Sequence, residues 1–251
     1  MANYRSYAQA PTPYVYGLGL ANNATTPTTA LDVAVGSILD STKTFQMNLN
    51  DALVVNAANV GVNGLDTGAL AASTVYYVYL IGGTSSGNVP AGLISALDTP
   101  YLPFGYDIYA KIGYVVTGAG STFLTGYWTD DLSSWRTFMF DAPQATSVVA
   151  GSAVAYTTVD LSTLVPAIDN TPVIFNVLLT PAAVADTFDL KPFGATGTAI
   201  SVKGQVIGVS ITDQVMVFAK DNAGAPAVSY RVTGGGAGAA DLDVGGYQFA
   251  V

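Results

Sequence analysis

The chain contains no glutamate, no histidine and no cysteine, and only eight of its 251 residues are Lys or Arg. Glutamate and lysine are among the good helix formers and are depleted from strands. Their scarcity, set beside abundant Val, Thr, Tyr and Phe and 27 Gly, specifies short strands joined by tight turns. The expected class is all-β: two β-sandwich, jelly-roll-like domains at 30–134 and 135–251, preceded by an extended N-terminal arm at 1–29.

The same gaps exclude whole classes of chemistry. Without Cys there is no disulfide framework and no thiolate nucleophile, and without His a Cys/His zinc site is out of reach. The usual triads lack their base. Local carboxylate pairs remain at Asp130/Asp131, Asp186/Asp189 and Asp241/Asp243. Asp241 and Asp243 would share one strand face, but no oxygen-rich loop surrounds them, and the plainer reading is two solvated strand-edge carboxylates. The Gly118-Ala-Gly120 and Gly234–Gly238 runs precede no helix and carry no P-loop lysine, so they read as hairpin turns. The expectation is no catalytic, cofactor or metal site.

Half of the residues are hydrophobic and only 10% are charged, against roughly a quarter charged in ordinary soluble domains. The surface must be uncharged, or covered by partners. The net charge of −9 with no basic cluster argues against direct nucleic-acid binding. No run of 18 apolar residues and no Sec-type leader is visible, so neither membrane insertion nor export is expected. A transmembrane barrel is disfavoured by the many prolines and the lack of uniform ten-residue alternating strands.

Along the chain, the clearest strands are 74–81 (Thr-Val-Tyr-Tyr-Val-Tyr-Leu-Ile) and 107–116, with 121–128 following a hairpin. Residues 84–105 read as a long Gly- and Pro-rich loop with at most one helical turn at 90–97. From 144 onward short strands recur at roughly ten-residue spacing, as in sandwiches. Tyr4, Tyr7, Tyr14 and Tyr16 stud the proline-containing N-terminal segment and are candidate interface residues, since aromatic rings with polar tips suit subunit contacts. Tyr101, Phe104, Tyr106 and Trp128 are candidate surface-binding residues that could stack on sugars, with Tyr76 and Tyr79 as further rings.

Several motifs carry a family likeness. The Gly64-Leu-Asp-Thr-Gly turn, followed by small residues and the aromatic strand to Ile81, resembles a segment of bacteriophage virion proteins. Leu102-Pro-Phe-Gly-Tyr106 and Ile112-Gly113 through Gly118-Ala-Gly120 accompany it. Thr158-Val-Asp-Leu-Ser162 and Asp243-Val-Gly-Gly-Tyr247 are similar to a second module of such proteins. The likeness implies a structural role in the tail, neck or fibre apparatus or on the capsid, a location in the virion after synthesis in the host cytoplasm, and partners that are copies of the chain (a trimer or ring) and other virion proteins. It transfers no active-site residue. A receptor- or carbohydrate-binding module contacting a host surface glycan, and a capsid decoration (cement) protein, stand as alternatives. A polysaccharide hydrolase would need paired carboxylates in a cleft.

Overall fold

The computed structural model describes residues 15–250 apart from 86, 131–134, 169, 185, 198 and 235–237. Of the expected N-terminal aromatic cluster, Tyr4, Tyr7 and Tyr14 lie outside the described residues. Every regular element among those described is a β-strand, and almost all pairing is antiparallel. The chain divides into two compact units: unit 1 is residues 1–138 with 249–251, and unit 2 is residues 139–248.

Unit 1 contains β1 (Val15–Gly17), β2 (Leu20–Asn22), β3 (Ala30–Val33), β4 (Gly36–Leu39), β5 (Gln46–Leu49), β6 (Leu53–Asn56), β7 (Gly64–Leu65), β8 (Val75–Gly82), β9 (Ala91–Ser95), β10 (Ile108–Val116) and β11 (Gly126–Asp130). They form the sheets β1-β4-β5, β10-β8-β9-β7 and β11-β2-β3-β6. Period-two alternation turns Leu31, Val33, Ile38, Met47, Val55, Val78, Leu80 and Ile112 into one buried core. That core also takes Leu18 and Leu20. The second half of the expected 1–29 arm, from Val15 on, is therefore part of the folded unit, with β1 paired to β4 and β2 to β3.

The expected loop over 84–105 needs correction. Ala91-Gly-Leu-Ile-Ser95 is a fully buried strand between β8 and β7, and no helical turn forms there. The segment reads as loop because of its several Gly and Pro residues, Gly92 among them. Position 92 is glycine because Val55 packs against its backbone: a Cβ there would lie 2.2 Å from Val55 Cγ2.

The chain enters unit 2 within β12 (Trp135–Ala145) and leaves it within the last strand. Unit 2 then holds β13 (Thr157–Asp160), β14 (Thr171–Thr180), β15 (Thr187–Pro192), β16 (Ile200–Lys203), β17 (Ile211–Asn222), β18 (Ala225–Thr233) and β19 (Ala239–Ala250). Strand order is β16-β15-β18-β17-β14-β19, with β13 added to β18. Val173, Phe175, Val177 and Leu179 of β14 alternate into its interior beside Leu242 and Val244 of β19 and Val217 of β17. Phe188 stacks on Tyr230 at 5.6 Å. The 3.3 Å rise per residue makes β14, at ten residues, a strand of roughly 33 Å.

Asp241 and Asp243 do not sit on a sheet edge. β19 pairs with β14 on one side, while Gly151 bridges Ala240 on the other, and Leu242 is bonded there by Thr146 and Val148. Both carboxylates are half-buried. Asp241 accepts the Ala150 N–H at 2.6 Å. Burial first, and the neighbouring Asp241 charge second, push the Asp243 carboxyl above the usual carboxylate value.

Candidate functional site

The register of β8 against β10 and β9 assembles a face that alternation alone did not reveal. On the side of β8 away from the main core, Tyr77 and Tyr79 lie two residues apart. Tyr77 is opposite Tyr114 and Ser95, and Tyr79 is opposite Lys111 and Leu93. A β-bulge between Lys111 and Gly113 puts Tyr109, Lys111 and Tyr114 on one face despite their odd spacing. Ring centroids are 5.2 Å apart for Tyr77–Tyr114, 6.1 Å for Tyr77–Tyr79 and 5.6 Å for Tyr79–Tyr109, within the range of favourable aromatic pairs.

One cation sits among these rings. Lys111 Nζ lies 4.4 Å from the Tyr77 ring centre and 5.4 Å from that of Tyr114, and pairs with Asp98 at 2.5 Å. The pair is partly exposed, so its contribution to stability is small; its effect is to hold the lysine over the rings. Tyr79 donates its hydroxyl to the carbonyls of Leu97 (2.9 Å) and Asp98 (2.8 Å), which fixes the covering loop. Burial pushes the Tyr79 phenol well above its ordinary value, with Asp98 adding to it. It does the same at Tyr114, where Tyr77 and Asp98 add. Both phenols stay neutral donors at any physiological pH.

A cavity of about 270 Å³ adjoins this face, lined by Tyr79, Asp98, Tyr109, Lys111, Asp40 and Lys43. Ligand pockets usually span about 300–1,000 Å³, so this one suits a small polar group or the end of a longer molecule. No group of three or more ligating side chains occurs among the described residues.

Three of the four expected surface-binding residues come from the loop that crosses this face. Tyr101 is exposed, and its N–H reaches Asp66 Oδ2 at 3.2 Å. Phe104 is fully exposed at the tip of a turn closed by Tyr106 N–H to Pro103 O, 3.1 Å. Tyr106 instead packs half-buried on the cluster of Tyr79, Ile81, Ala91 and Leu93. Trp128 is separate: it lies against the main core of unit 1, 4.6 Å from Phe138, with its Nε1 buried and unpartnered. Its ring is not presented for stacking. Nor are Tyr76 and Tyr79, which are buried. Tyr16 of the N-terminal set stands in the open on β1.

The sequence reading missed Tyr77, Tyr109, Lys111 and Tyr114. The period-two pair Tyr77/Tyr79 was a usable signal; the bulge that adds Tyr114 was not.

No protein-family model matches the chain, and no curated protein does. Among solved structures, the infectious bursal disease virus VP2 subviral particle matches with 13% identity and a TM-score of 0.26, over 99% of this chain and 72% of that one.

Proposed function

We propose that this chain is a structural, non-catalytic component of a bacteriophage virion, acting through contacts with copies of itself and with other virion proteins, in the tail, neck or fibre apparatus or on the capsid. The observation that carries this reading is the character of the surface. Large apolar side chains stand in the open on both units, among them Phe104, Val89 and Tyr16 on unit 1 and Val154, Ile207 and Phe218 on unit 2. Few charges are available to offset them. Single exposed apolar residues are ordinary, but this many on a chain so poor in charge fit a protein whose surface is covered by protein. The motif likeness to virion proteins points the same way.

The test is direct. Antibody raised against the purified chain should decorate particles isolated from a lysate of the host that carries the gene. Label confined to the particle-free fraction would contradict the reading.

A second reading rests on Phe104 and Tyr101. Both rings are exposed on one loop, and open aromatic rings are suited to stacking on sugars. A glycan array probed with the chain and with Phe104→Ala decides it: signal lost in the variant supports the reading, and silence from the parent chain removes it.

A further inference from the structure

We propose that one end of unit 2, built from the β14–β15 and β16–β17 loops, is a contact surface for a second copy of this chain; the inference rests on the assembly reading above and gives it a location. The two loops are bound into one structure. Gly208 N–H donates to Pro181 O at 2.9 Å, Gly204 N–H to Asp186 O at 2.7 Å, and the Thr180 and Ser210 hydroxyls meet at 2.8 Å. Beneath them the Asp186 carboxylate is wholly buried and accepts the N–H groups of Ala182 and Ala183 at 2.8 and 2.9 Å. The Asp186 carboxylate thus ties Ala182 and Ala183 back onto the turn, and backbone already constrained loses less entropy on association.

What this end displays is apolar. Val184, Val206, Ile207 and Val209 are each between 55% and 63% exposed. Summed over these four, on the order of 350 Å² of mostly apolar area stands in water, somewhat under half of what one partner buries in a standard interface. The polar strand face next to it, with Asn176, Gln214 and Thr212, can supply a rim.

Charge identifies the partner as a second copy. The chain carries −9 overall, so two copies repel wherever their carboxylates face each other. Residues 178–184 and 204–212 contain no charged side chain. The nearest flanking charges along the β16–β17 connection, Lys203 and Asp213, are exposed and of opposite sign. A two-fold contact can set one against the other. This end is where copies of so acidic a chain meet at least electrostatic cost.

The experiment compares the full chain with Val206→Asp/Ile207→Asp by sedimentation velocity over a range of concentrations. Both positions are exposed, so the variant should retain the circular dichroism of the parent. Should it fail to fold, Val206→Ser/Ile207→Ser takes its place. The expected result is a parent that associates and a variant whose association is weakened roughly a hundredfold or more. A parent that associates and a variant that does so equally would overturn this location while leaving the assembly reading intact. A parent that stays at 25.7 kDa throughout would overturn both.

Discussion

The guanidinium of Arg136 is buried and donates to the backbone carbonyl of Ile112 at 2.6 Å. It also reaches Leu18 O at 2.9 Å and Gly17 O at 2.6 Å. One side chain at the start of β12 thus ties the β1–β2 connection to β10 inside unit 1. Charge-assisted bonds of this kind are the strong ones, and truncation would strand the buried Leu18 and Ile112 carbonyls. Arg136→Ala should destabilise the chain by about 3 kcal/mol or more, read as a lowered urea midpoint. Arg136→Lys, with a point charge in place of a fork, should recover only part of it.

Asp40 closes the β4–β5 hairpin. Burial alone would raise its carboxyl, but hydrogen bonds from Phe45 N–H, from the Thr42 hydroxyl, and from the Thr44 and Thr42 N–H groups outweigh that and hold it below the ordinary value. A depressed folded pKa means the stabilisation is complete above the unfolded value of about 3.9 and disappears as the pH falls through the folded one. Asp40→Ala should therefore lose about 1–3 kcal/mol at pH 7. The gap between parent and variant should begin to shrink once the pH falls below about 3.9, followed by denaturant melts at several pH values.

Asp243 has the opposite sign. Its folded value is raised, so its contribution is fully favourable only below the unfolded value and is lost as the pH rises through the folded one. As the pH rises above the unfolded value, ionisation of this group increasingly opposes folding. Asp243→Asn should raise the melting temperature by about 1–3 °C at pH 7, with little gain at low pH where the parent carboxyl is already neutral.

Gly234 faces the buried Asp186. Its φ is +144°, and a Cβ there would lie 2.0 Å from Asp186 Oδ1 and 2.6 Å from Asp186 Cα. Neither the conformation nor the space admits a side chain. Gly234→Ala should cost about 2 kcal/mol or more, visible as a lower thermal midpoint, whereas Gly194→Ala, with open space around it, should lose only the strain of its positive φ.

These particulars show which parts of the molecule the sequence encodes locally. The strands β8 and β10 are legible to within a residue or two, because dense β-branched and aromatic runs have few other ways to bury themselves; β15 is legible from its breaks at Pro181 and Gly194. The all-β class followed from the same composition. β9 was hidden because its Gly92 answers to Val55, a distant residue, and local composition carries no trace of that approach. Asp241 and Asp243 were misplaced for a related reason: alternation tells which residues share a face, but not whether a strand lies at the edge or inside a sheet. The candidate rings divided similarly. Tyr101 and Phe104 are as open as their loop chemistry implied, while Trp128 packs on the core of unit 1, an outcome decided by tertiary contacts with Phe138. Arg136 gave no signal, since a lone arginine in a strand reads as a solvated side chain until the carbonyls around it are known.

On the assembly proposal, other subunits cover this surface. Light scattering on a sizing column, with the full chain loaded over a range of concentrations, tests it most directly. The expected mass is a multiple of 25.7 kDa, or one that climbs towards such a multiple with concentration. A mass fixed at the monomer value at every concentration would contradict it.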